Sequence, residues 1–162
     1  RRTAPAKLAS LRAYAPQHPT SAWDYTLTEL GTLAPSLAEY VQWQERFGLR
    51  ALAARKLSEL SGGERKVAHL SLTFSALGDA YGKALLLDEP TTALDLCRAE
   101  LVARAIRASA QAGAAVLVAT HDLAWARTCE RVLVLSEGRL VSSGPPSTAL
   151  TAELVRATWG VA

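Results

Sequence analysis

The chain has 162 residues, 49% of them hydrophobic and 20% charged, with a formal net charge of +3, two Cys and no Met. That length fits one domain or a large piece of one, the apolar fraction excludes a disordered chain, and the scattered basic residues give a nucleic-acid role no support. No apolar stretch reaches the roughly 18 residues that a membrane span needs. Cys97 and Cys129 lack metal spacing and make no disulfide framework, which suits a reducing compartment. The chain begins at Arg1 with no initiator Met and no signal-like segment, so it reads as an excerpt of a longer protein.

In chain order, the first predicted element is a strand over Leu11–Ala15, closed by Pro16, which cannot donate to a ladder. Gln17-His18-Pro19 then forms a loop. From Thr20 to Leu60 the pattern turns helical: Leu27 and Leu30 precede a break at Gly31, a second helix carries Leu37, Tyr40, Val41 and Trp43 and ends near Gly48, and Leu49–Leu57 is a third. With no strand signal, this stretch reads as a small helical insertion. Val67, Leu70, Phe74 and Leu77 make one stripe of a long helix, followed by a loop at Gly78 and Gly82.

Ala84–Leu87 reads as a buried strand running into Asp88-Glu89-Pro90. A helix over 95–112 stops at Gly113, and a second buried strand, Ala115–Ala119, leads into Thr120-His121-Asp122. A short helix carries Leu123 and Trp125. Val132–Leu135 and Arg139–Ser142 form a hairpin across Ser136-Glu137-Gly138, and a last helix spans about Ser147 to Thr158. The alternation predicts an α/β sheet with parallel central strands and an antiparallel edge.

Three places carry chemistry. Leu60-Ser61-Gly62-Gly63-Glu64 reads as a capping box, with Ser61 capping a helix and Glu64 reaching back. The paired glycines exceed what a cap needs, and make sense where something approaches a helix N-terminus closely; that end favours phosphate. Asp88 and Glu89 close an apolar strand at the edge where open α/β sheets bind ligands. One carboxylate suits a hard cation held through water, the other the orienting or deprotonation of water. Taken singly they read as solvated acids. His121 follows the next strand and falls on the same sheet edge.

In this order the features resemble the ATP-binding-cassette (ABC) family of ATPases over nearly the whole chain. Leu60–Glu64 looks like its signature motif, Leu85–Pro90 like its Walker B strand with the catalytic glutamate, and Thr92-Ala93-Leu94-Asp95 like its D-loop. His121 looks like its switch histidine, and Tyr14-Ala15-Pro16-Gln17 like its Q-loop. The hairpin with Gly138 and the tail Gly144-Pro145-Pro146 are similar to the family's usual ending. The implied fold is a partial P-loop NTPase-type α/β sheet with helices on both faces, a small helical subdomain and a C-terminal β-hairpin plus helix. Its parts are a strand and Q-loop over 1–19, a helical subdomain with the signature helix over 20–78, and a core with its C-terminal end over 79–162.

The resemblance implies ATP and Mg²⁺ as cofactors. It makes Glu89 the general base or water-positioner, places Asp88 in the outer shell of Mg²⁺, and has Gln17 touch metal and water. His121 would contact the γ-phosphate. Ser61, Gly62, Gly63 and Asp95 would meet nucleotide in a head-to-tail pair with a second ABC ATPase subunit. The compact insertion and Thr91-Thr92-Ala93-Leu94-Asp95 favour a cassette that docks on transmembrane permease subunits, peripheral on the cytoplasmic face of the plasma or inner membrane, with no nucleic acid. The lengthened Gly78–Lys83 link, Trp23-Asp24-Tyr25 and the Gly-Pro-Pro tail are similar to uptake ATPases for cobalamin, haem and iron-siderophores.

The family's phosphate loop, G-x-x-x-x-G-K-[ST], belongs upstream of Gln17, and the 16 residues there do not fit it. Gly78–Ala84 is a decoy: its glycines are one residue too close, and Ala84 stands where a hydroxyl belongs. The chain as given is therefore expected to bind ATP weakly and not to turn it over. Two other readings stay open: a non-catalytic subunit completing a partner's ATP site, and a soluble nucleic-acid-handling ABC ATPase.

Overall fold

The computed structural model describes residues 4–160, except for the side chains at positions 5 and 6. The reading of the chain's start at Arg1 falls outside them. Two compact units form, Arg1–Ala119 and Thr120–Ala162. The first opens with a helix the sequence did not announce, α1 (Pro5–Ser10), started by Pro at its N-terminal turn. Its sheet is parallel, with order β1 (Arg12–Ala15), β2 (Ala84–Asp88), β3 (Ala115–Ala119).

Register places Ala13 beside Leu85 and Ala15 beside Leu87, and this row is buried. The opposite row, Tyr14–Leu86–Leu117, is open at its edges, with Tyr14 and Leu117 each 57% exposed. The apolar run Ala115–Ala119 is thus an edge strand with half-exposed and exposed side chains, not a buried one. Continuous apolar sequence does not tell an edge strand from a central one.

Between β1 and β2 the chain is helical, as expected. Helix α2 (Leu27–Leu30) is capped by Thr26, whose hydroxyl accepts from the Glu29 amide at 3.2 Å while Glu29 Oε2 accepts from the Thr26 amide at 2.8 Å. The α-helix ends at Gly31, as expected, and passes into a 3₁₀ turn (Gly31–Leu33). The missing side chain of Gly31 also makes room: a Cβ there would stand 2.6 Å from the Tyr40 ring. Helix α3 (Leu37–Arg46) carries Tyr40, whose hydroxyl donates to the Leu27 carbonyl at 3.0 Å and accepts from Gln44 Nε2 at 2.9 Å. The helix predicted over Leu49–Leu57 is replaced by 3₁₀ turns at Arg50–Leu52 and Leu57–Glu59. Main-chain groups there pair across to the start of the insertion instead, Leu27 N to Arg55 O at 3.0 Å and Leu57 N to Tyr25 O at 2.8 Å.

Helix α4 (Gly62–Leu77) buries Val67, Leu70, Phe74 and Leu77, the predicted stripe, and Phe74 stacks on Trp43 of α3 with ring centroids 4.7 Å apart. Helix α5 (Leu96–Gln111) links β2 to β3 and ends before Gly113, where φ is +95° and a Cβ would meet the Tyr81 ring at 2.8 Å.

The second unit holds α6 (Leu123–Ala126), capped by Asp122, and the antiparallel pair β4 (Val132–Ser136) and β5 (Arg139–Gly144). Glu137 and Gly138 both have positive φ, the geometry of a type I′ hairpin turn. This pair is a separate two-stranded sheet and not an edge of the parallel one, since β4 finds its ladder in β5. The single last helix resolves into α7 (Pro146–Ala149) and α8 (Ala152–Trp159). Thr151 divides them by accepting from the Leu154 amide at 3.2 Å and restarting the helix. No helix among the described residues is long and apolar enough to cross a membrane.

Candidate functional site

The signature turn is built from both sides. Ahead of it, Arg65 donates from Nε to the Leu57 carbonyl at 3.0 Å and from Nη2 to the Leu60 carbonyl at 3.2 Å. Ser61 and Glu64 form the expected capping box: Ser61 Oγ accepts from the Glu64 amide at 3.2 Å, and Glu64 Oε2 from the Ser61 amide at 2.9 Å. Those bonds, with Arg98 behind them, hold the Glu64 carboxyl below its ordinary pKa. Ser61 and Gly62 are exposed at the N-terminus of α4.

The two glycines have different reasons. A Cβ on Gly62 would meet open space, whereas one on Gly63 would lie 3.1 Å from the Ala93 carbonyl oxygen and 3.6 Å from Leu94. The close approach that the sequence suggested is, for Gly63, made by the chain's own D-loop. Ala93 sits at φ +65°. Asp95 caps α5, accepting from the Arg98 amide at 2.8 Å, and this bond, ahead of the Arg98 charge, lowers its pKa. The Arg98 guanidinium reaches Asp95 at 3.1 Å and Glu64 at 3.5 Å, joining the D-loop to the signature turn.

Asp88 ends β2 beside Ala119 of β3, and Glu89 turns away at φ +47°. Its amide donates to the Ala119 carbonyl at 2.9 Å, and its Oε2 accepts from the Thr92 hydroxyl at 2.8 Å. The half-buried Lys66 ammonium donates to its main-chain carbonyl. Burial lowers the Lys66 pKa, opposed by the Glu89 and Asp88 charges. Asp88 faces a hollow of about 370 Å³ lined also by Lys66, His69, Thr73 and the loop residues Pro16 and His18. Desolvation, then the Arg65 charge, lowers the pKa of half-buried His69, and its Nε2 has no hydrogen-bond partner among the described residues.

Asp88, Glu89, Ser61–Gly63 and Asp95 therefore belong to one compact unit, with the D-loop packed on the signature turn. Gln17 lies exposed in the loop after β1 and is not among the residues lining the hollow. His121 belongs to the second unit, exposed just ahead of α6. Among the described residues no three His, Cys, Asp or Glu converge as a metal cage. The adjacent carboxylates Asp88 and Glu89 are donors of the kind Mg²⁺ takes, one or two carboxylates with water and phosphate oxygens completing its shell. Sequence reading missed Lys66 and Arg98, and took Thr92 as part of the D-loop without its bond to Glu89. Thr92, three residues after Glu89 in a tight turn, had a local signal; Lys66, 23 residues before Glu89, had none.

Residues 35–124 match the family model described as "AAA domain, putative AbiEii toxin, Type IV TA system". The chain is similar to the hemin import ATP-binding protein HmuV of Deinococcus radiodurans, at 35% identity over 96% of this chain and 64% of that protein. HmuV of Myxococcus xanthus is 38% identical over 90% of this chain and 60% of its own length. Among solved structures, an ATP-binding subunit of an ABC transporter superposes with a TM-score of 0.73 at 24% identity, covering 93% of this chain and 63% of that one. A bacterial Atm1-family ABC exporter gives 0.70 at 22% identity over 91% of this chain and 26% of the exporter; at such identities the likeness is one of fold. The chain spans 64% and 60% of the length of these two HmuV relatives. With a family match over more than half its length, the chain belongs to the AAA-domain family, and its relatives identify it as an ABC-type ATPase chain.

Proposed function

We propose that the chain is part of an ATP-binding subunit of an ABC transporter that energises uptake of haem. The observation that carries this reading is the signature turn fixed against the D-loop beside the acidic end of β2. The hemin-import names of the relatives support the substrate, in preference to cobalamin or iron-siderophores. In this reading two cassettes close head to tail on nucleotide. The exposed Ser61 and Gly62 at the N-terminus of α4 meet the γ-phosphate on the partner, where amides and helix dipole favour an anion. Glu89 orients or deprotonates the attacking water, and Asp88 holds a water of the Mg²⁺ shell, with Gln17 beside metal and water. His121 contacts the γ-phosphate, and Asp95 lies at the subunit contact. Mg²⁺ supplies charge neutralisation on the phosphates; positioning and electrostatics do the rest. Docking on a permease puts the subunit at the cytoplasmic face of the membrane.

Within the 162 residues there is no G-x-x-x-x-G-K-[ST] loop. A second reading is compatible with the residues present: the chain lends its signature face to a partner that holds the nucleotide. Titration of the chain alone with ATP is expected to give no micromolar binding. Paired with a complete cassette such as HmuV of Deinococcus radiodurans, Ser61→Arg in this chain should lower the pair's ATPase rate about tenfold or more, as for other lost oxyanion donors. An unchanged rate overturns both readings.

A further inference from the structure

Glu89 is held at a backbone conformation that L-residues seldom adopt, φ +47°. Of the four hydrogen bonds described for it, three come from the strand end and the turn: its amide donates to the Ala119 carbonyl, its Oε2 accepts from the Thr92 hydroxyl, and its carbonyl accepts from the Thr92 amide at 3.4 Å. The fourth comes from α4, where Lys66 also donates its ammonium to the Glu89 carbonyl. Lys66 is five residues past Ser61 on that same helix, half-buried, its charge drawn out of water. A long cationic side chain on a helix surface ordinarily keeps its head in solvent. Here it runs inward to one peptide group, and that group carries the carboxylate at the end of β2.

A peptide rotation at residue 89 swings the Glu89 side chain, and a positive-φ well is narrow enough that little rotation is tolerated. Whatever shifts the first turns of α4 pulls on the same carbonyl through Lys66. We propose that Lys66 is a positioning residue that ties Glu89 to the signature helix, so that occupancy at Ser61 and Gly62 sets the orientation of the Glu89 carboxylate. The identity of the occupant rests on the ATPase reading above; the mechanical link does not, and it is measurable without nucleotide.

The test uses the ¹⁵N-labelled chain and the Glu89 amide, which is bonded to Ala119. Lys66→Met should speed hydrogen exchange at that amide about tenfold, the scale of one hydrogen bond's worth of local opening. Lys66→Arg, which keeps a cationic donor, should return it to near the parent rate. Ser61→Ala, which removes the α4 cap, should move the Glu89 amide resonance in the parent and leave it in place in Lys66→Met. Unchanged Trp43 emission reports an intact helical insertion, and Lys66→Gln replaces Lys66→Met where the latter does not fold. Equal response of the Glu89 amide to Ser61→Ala with and without the Lys66 ammonium overturns the link, as does an exchange rate indifferent to Lys66. Loss of the ATPase dependence on Ser61, with the amide coupling intact, would sink the nucleotide reading alone.

Discussion

Gly63 rests against the main chain of Ala93, close enough that a Cβ on Gly63 would stand 3.1 Å from the Ala93 carbonyl oxygen, while its neighbour Gly62 faces open space. The pair therefore separates helix propensity from packing. Gly62→Ala is expected to stabilise the chain by about 0.5–1 kcal/mol, the gain of Ala over Gly in a helix. Gly63→Ala should forfeit that gain and come out about 1 kcal/mol below Gly62→Ala, because the D-loop must give way. Urea midpoints of the two variants, measured side by side, decide it.

Ser61→Ala removes the oxygen that accepts from the Glu64 amide and should cost about 1 kcal/mol. The matching carboxylate adds a pH dependence. Glu64 has a folded-state pKa lowered from 4.5 by its bonds to Ser61 and by Arg98, so its contribution is complete above that value and disappears as pH falls through the lowered one. Chemical denaturation between about pH 6 and 3 should show a shallower acid loss in Glu64→Gln than in the parent. Parallel curves would refute the assignment.

Tyr40 is fully buried, and its hydroxyl serves the Leu27 carbonyl and the Gln44 amide. Tyr40→Phe leaves both without that partner and should cost about 1–3 kcal/mol by urea unfolding.

Phe74 is 1% exposed and stacks on Trp43 at 4.7 Å, with Phe47 5.8 Å away. Phe74→Ala opens a cavity between α3 and α4 and should cost about 3–5 kcal/mol. Trp43 emission should shift to the red as water enters, a change that near-wild-type spectra would contradict.

What the sequence disclosed was set by range. The Ser61–Glu64 box, the stripe on α4 and the Glu137-Gly138 turn are decided within a few residues, and each stands where the pattern put it. The segment Leu49–Leu57 has helical periodicity but spends its main-chain groups on Tyr25 and Leu27, partners more than 25 residues away. Leu117 is apolar yet open, because β3 lies at an edge and local hydrophobicity carries no strand order. At the site, the carboxylates and the Ser-Gly-Gly turn were legible as residue types. The contacts that hold them, Lys66 on the Glu89 carbonyl and Arg98 between Asp95 and Glu64, join positions too far apart in the chain for spacing to reveal.

The left-handed backbone at Glu89 leaves a question of selection in the fold itself. A glycine would take that conformation without steric penalty, so Glu89→Gly stands to gain on backbone strain even as it gives up the bond from Thr92. With the role proposed above for its carboxylate, position 89 is one where sturdiness and use pull apart.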